Sequence, residues 1–185
     1  MNRVIAIVGM PGSGKSEAGK FFLEEGAVVL RFGKVVDEGL KEEELPQTPE
    51  NEQYYREKVR KELGMAGMAI KMLPKIEEAF EKSDTVVLDG LYSWEEYLLL
   101  KEKYPTILLL LIYSRPSIRH ERLAKRMVRP FTKEEAKERD IQEIEKLHKG
   151  GPIAMADFLI KNDANKALFI GQLVFFWKQF KADNV

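Results

Sequence analysis

Five residues near the N-terminus, Gly9, Gly12, Gly14, Lys15 and Ser16, fill the spacing G-x-x-x-x-G-K-[ST] within VGMPGSGKSEAGK (8–20). A loop of this kind turns its backbone N–H groups inward around phosphate oxygens, and glycine lets the backbone come close enough to do so. A helix starting near Gly14 adds unsatisfied donors and the positive end of its dipole, both of which draw anions. Lys15 then reaches the β and γ phosphates of a nucleotide, and the Ser16 hydroxyl is placed to ligate Mg²⁺. Binding of a nucleoside triphosphate with its metal is the chemistry these residues predict.

A second candidate is Asp89, which closes the apolar run TVVLDG (85–90). A carboxylate at the carboxyl end of a strand, beside the strand that feeds the loop, can hold Mg²⁺ directly or through water. Four arginines, Arg119, Arg122, Arg126 and Arg129, recur at helical spacing between Pro116 and Pro130, and Arg139 follows them. That spacing predicts one cationic helix face ending close to Pro130. Phosphoryl transfer spreads negative charge over the equatorial oxygens, which guanidinium forks bind well, and a flap carrying them also keeps out water. Arg56 and Arg60 lie four apart and could turn toward an acceptor phosphate, although ion pairing with Glu52, Glu57 and Glu62 explains Arg56 better. His120 and His148 show no metal-ligand spacing.

These residues need a frame. Short apolar runs recur at VIAIVG (4–9), AVVLRF (27–32), TVVLDG (85–90), TILLLLIY (106–113) and DFLIKN (157–162), separated by charged segments of helical period. Strands apolar on both faces and divided by helices predict a parallel sheet covered on both sides, a doubly wound α/β domain. Ligands of such sheets sit beyond the carboxyl ends of the strands, where the loop and Asp89 already are. Two insertions are expected: a helical lobe over 33–82, with a helix starting at Thr48-Pro49 and stopping at Gly64, and a helical hairpin or flap over 115–150, with a capping box at Thr132 and Glu135. Met65, Met68 and Met72 make a stripe expected in the core. Phe169, Leu173, Phe176 and Phe180 predict a last helix packed on the sheet.

The chain has 185 residues, with 30 Lys and Arg against 30 Asp and Glu. One domain spanning 1–185 is expected from that length. The absence of net charge supplies no field for nucleic acid or an anionic membrane, so any anion site must be local. Cysteine is absent, which excludes disulfides and thiolate metal sites and leaves nothing pointing to an oxidising compartment. The apolar runs are too short to cross a bilayer, and a cytoplasmic protein with neither membrane nor nucleic acid as partner is expected.

Taken in order, GMPGSGKS, FGKVVDE, VRKELGMAGMA, VVLDG, SIRHERLAKRMVRP, KERDIQE and ADFLIKND resemble the adenylate-kinase-related P-loop kinases, which include nucleoside monophosphate kinases and dephospho-coenzyme A kinase. The chain is most similar to a small, uncharacterised, largely archaeal family of that group. The resemblance implies a three-layer P-loop NTPase fold with a five-stranded parallel sheet, an acceptor lobe and a lid. It implies ATP and Mg²⁺ as donor, held at Gly12, Ser13, Gly14, Lys15 and Ser16, with Arg126 in the lid, Arg60 in the acceptor lobe and Asn162 in the loop edging the adenine; Arg122, on the cationic helix face, is a further candidate for binding the nucleotide.

Relatives often place arginine where this chain has Asp37 and Tyr92, and glycine near Asp163-Ala164. Dephospho-coenzyme A kinases commonly carry an acid shortly after the second strand to take the attacking hydroxyl's proton, and Asp37 is the nearest acid here. The expected activity is phosphoryl transfer from ATP to a small phosphorylated acceptor, with Lys15, Arg126 and Asp89 as candidate catalytic residues and Arg60 and Asp37 on the acceptor side. Two alternatives stand beside it: transfer to a sugar hydroxyl, and a regulator that binds nucleotide without turnover.

Overall fold

The structure, a computed structural model, describes residues 2–127 and 130–182. Five strands pair in parallel: β1 (Arg3–Val8), β2 (Val28–Arg31), β3 (Thr85–Asp89), β4 (Leu108–Tyr113) and β5 (Phe158–Lys161), in the order β2-β3-β1-β4-β5. All five expected runs are strands. The strand order reverses at β1, so the β1–α1 turn opens into a crevice at the carboxyl edge, where such sheets take their ligands.

Alternation along β1 explains how one strand builds two cores. Val4, Ala6 and Val8 point to one side, with Val86, Leu88, Leu109 and Leu111. Against them pack α2 (Phe32–Glu42), α3 (Pro49–Leu63), α4 (Gly67–Phe80) and α5 (Trp94–Lys103). Ile5 and Ile7 point to the other side with Val87, Leu110 and Ile112, covered by α1 (Lys15–Glu24) and α9 (Lys166–Lys181). Phe169, Leu173, Phe176 and Phe180 form the buried stripe of α9, as their spacing predicts, and Met68 and Met72 are core residues of α4.

The segment between β2 and β3 is helical, with α3 starting where its caps predict. The Thr48 hydroxyl accepts from Asn51 N at 3.3 Å and Gly64 closes the helix. Gly39 brings α2 onto α3 closely enough that a Cβ there would lie 1.9 Å from the Tyr55 ring. Between β4 and β5 come α6 (Pro116–Ala124), α7 (Lys133–Glu145) and the short α8 (Gly150–Ala154), and the Thr132–Glu135 capping box is formed.

One expectation fails here. The cationic helix face does not run to Pro130, because α6 ends at Ala124. Arg126 therefore lies beyond the helix, and Arg129 falls outside the described residues. Among the described residues, no helix is long and apolar enough to cross a membrane.

Candidate functional site

The three glycines of the loop between β1 and α1 stand where no side chain fits. Gly9, Gly12 and Gly14 have φ of +144°, +79° and +108°, where L-residues are strained. A Cβ would lie 2.4 Å from Ile112 O at Gly9, 2.7 Å from Arg119 O at Gly12 and 2.3 Å from Asn162 Nδ2 at Gly14. Lys15 folds back over the cradle, its Nζ donating to Gly9 O at 2.8 Å and Met10 O at 3.1 Å. The Ser13 hydroxyl is buried without a hydrogen-bond partner among the described residues, and Ser16 is exposed in the first turn of α1. An orphaned hydroxyl in a glycine-lined cradle under an ammonium fits a phosphate chain.

Residues far away in sequence hold this loop in place. Arg119 is 4% exposed. It donates to Pro11 O at 3.1 Å, to Ser114 O at 3.0 Å, and through both terminal nitrogens to Asp140 at 2.7 and 2.8 Å. Burial alone would raise the Asp140 pKa, but hydrogen bonds from Arg119 and His120 outweigh it and pull it down. Arg119 thus ties the loop to β4 and α7, where its spacing suggested a residue of the cationic face of a flap. Asn162 donates to Ser13 O at 2.8 Å, and Arg122 donates in turn to Asn162 O at 2.8 Å. Arg122 and Asn162 are therefore brought together at the end of β5, against the loop.

Across the strand ends, register pairs Asp89 with both Ile7 of β1 and Arg31 of β2. Burial raises the Asp89 pKa, against the pull of Lys15, Arg31 and Lys149. Burial also lowers Lys15 to about 8, more than the attraction of Asp89 offsets. Among the described residues, no three His, Cys, Asp or Glu side chains group to hold a metal ion. Ser16 and Asp89 are the protein's candidates, and a metal there would need further oxygens from a bound phosphate chain.

The opposite wall comes from the two insertions and the start of α5. Arg60 of α3 is half-buried, its Nε has no hydrogen-bond partner among the described residues, and its charge acts on Glu96. Glu96 is wholly buried and caps α5 by accepting from Tyr92 N at 2.8 Å and Ser93 N at 3.2 Å. Burial lifts its pKa to about 7 despite those bonds. Arg56 pairs with Glu52 at 3.1 Å, as expected. Asp37 lies half-buried on α2, and among the described residues no hydrogen bond or ion pair ties it to this wall. Arg126 is exposed, yet its charge, like that of Arg139, acts on Lys15.

Sequence reasoning missed three members of this wall: Glu96, Glu143 and Lys149. Glu96 carried a readable signal, the Ser93-x-x-Glu96 capping box. Glu143 and Lys149 are both 1% exposed and bonded to each other. Neither stands out in its polar stretch.

The family profile described as an AAA domain matches residues 5–151. A UPF0200 protein of Pyrococcus abyssi is 38% identical over 164 residues, covering 86% of this chain and 87% of its own. Among solved structures, dephospho-CoA kinase from Campylobacter jejuni superposes with a TM-score of 0.64 at 17% identity, covering 100% of both chains. Shikimate kinase from Acinetobacter baumannii, in complex with shikimate, gives 0.59 at 15% identity, covering 100% of this chain and 95% of its own. The fold is that of the P-loop kinases.

Proposed function

The chain belongs to the UPF0200 family and carries an AAA domain, and from that premise we propose that it is an ATP- and Mg²⁺-dependent small-molecule kinase of the nucleoside monophosphate kinase type. One constellation supports this above all: three glycines whose positions admit no side chain, Lys15 folded over them, and Asp89 at the neighbouring strand end. ATP bound there supplies the phosphoryl group, with magnesium neutralising its oxygens. Lys15, the Ser13 hydroxyl and the loop amides hold the polyphosphate, and Ser16 and Asp89 are the residues that would hold the metal. Arg122 and Asn162 fix the loop against β5 at the edge where a base would lie. Arg126 and Arg139 bring positive charge from the lid side. Arg60 faces the acceptor, with Asp37 on the neighbouring helix α2. The protein acts by positioning and charge neutralisation, with no covalent intermediate.

The test is a panel of AMP, other nucleoside monophosphates and dephospho-coenzyme A, each incubated with ATP and Mg²⁺, with products read by mass spectrometry. A phosphorylated monophosphate is the expected product. A phosphorylated ribose hydroxyl would move the assignment to the sugar-kinase reading, and nucleotide binding without any transfer would leave a regulator.

Lys15 gives a second test through pH. Its ammonium loses its proton near pH 8 in the free protein, whereas a bound triphosphate favours the charged form. Affinity for ATP is therefore expected to be full below that pH and to fall about tenfold between pH 7 and pH 9. Titration calorimetry across that range checks it, and a flat profile would count against Lys15 as the phosphate ligand.

A further inference from the structure

Behind Tyr92 lies a charge cluster that the donor loop does not use. The buried carboxylate of Glu143 accepts from Arg139 through Oε1 at 2.8 Å and from Lys149 through Oε2. The Lys149 ammonium also sits 4.4 Å from the centre of the Tyr92 ring, in the segment that follows Asp89. The chain is turned to put this lysine inside. His148, with φ +52°, is held through its ring by Glu95 at 2.8 Å, and Gly151 passes so close to Trp94 that a Cβ would lie 2.6 Å from its ring. Folding a lysine into an interior is costly unless its charge is used or paired.

Charge counting suggests the use. A single guanidinium on Glu143 would form a neutral pair, and Arg139 would bring little field to the crevice. A second cation on the same carboxylate leaves a local positive surplus, because the other carboxylates acting on Lys149, Glu96 and Asp140, are met by Arg60 and Arg119. Arg139 is 42% exposed and is the member that can show it, since its charge acts on both Lys15 and Tyr92. Burial weakens Lys149's hold on its proton, and an arriving polyanion strengthens it. The surplus thus appears when a phosphate chain is present.

We propose that Lys149 is a positioning residue for the outermost phosphate of the donor: by sharing Glu143 with Arg139, it leaves the Arg139 guanidinium able to face that phosphate and holds α7 against the segment after Asp89. This rests on the kinase reading. The experiment is calorimetric binding, with Mg²⁺, of ADP and of adenylyl imidodiphosphate, which differ in the outermost phosphate.

The wild-type protein is expected to bind both. Lys149→Met should keep ADP affinity within about twofold and lose about tenfold for the triphosphate analogue, Lys149→Arg should recover most of that loss, and adding Lys149→Met to Arg139→Met should cost nothing further. If Lys149→Met fails to fold, Lys149→Gln, which keeps a donor for Glu143 but carries no charge, should give the same selective loss. Equal loss for both nucleotides, additive losses in the double variant, or no loss would overturn the role of Lys149. A wild-type protein that bound neither nucleotide would instead overturn the kinase reading itself.

Discussion

Lys15→Ala is expected to lower phosphoryl transfer by about 10³-fold while the protein still folds. The magnitude follows from removing a preorganised charged donor from a site where negative charge must be stabilised. Folding should be spared because the two effects on stability oppose each other. The variant removes an ammonium that burial disfavours, but it also takes a counter-charge from Asp89. The hydrogen bonds lost go only to Gly9 O and Met10 O, in a loop whose shape is set by glycine and by Arg119 and Asn162. A thermal midpoint within about 3 °C of wild type, read beside the rate of product formation, is the expected pair of results. Retained transfer would remove the basis for the assigned function.

Arg119→Met should have the largest effect on stability. The side chain is buried, and its loss leaves Asp140, among the described residues, with only His120 as a hydrogen-bonded partner while Pro11 O and Ser114 O lose their donor. Removing one member of a buried ion pair costs about 3–5 kcal/mol, since the remaining charge stays in a poor solvent. For a domain of this size the thermal midpoint should fall by roughly 10 °C. Nucleotide affinity should fall as well, because the cradle is no longer tied to β4 and α7. Adding Asp140→Leu removes the stranded carboxylate and should recover part of the stability, though not the affinity. Unchanged melting of Arg119→Met would show that the contact carries no net energy.

Arg119 also shows where reading by spacing ran out. Helical periodicity places Arg119 and Arg122 correctly on one helix, but it cannot say whether that face meets solvent, substrate or protein. Asp140, which decides the matter for Arg119, comes from another helix. The extension of that face to Pro130 failed for a local reason: α6 closes at Lys125, and its last amides bond back to Glu121 O and Leu123 O. Lys149 was beyond reach altogether, since its burial needs Tyr92 and Glu143 to arrive from separate segments.

The donor side and the sheet were written into contiguous residues. A phosphate cradle is made by the backbone of residues 9–16, and strands buried on both faces announce themselves as unbroken apolar runs. Their chemistry depends on near neighbours, so it survives reading one residue after another. Which of the thirty Lys and Arg residues enter the crevice was settled only by the fold. Charged side chains of one type are equivalent along the chain, and they differ only in the water they lose and the partner they gain when distant segments close around them.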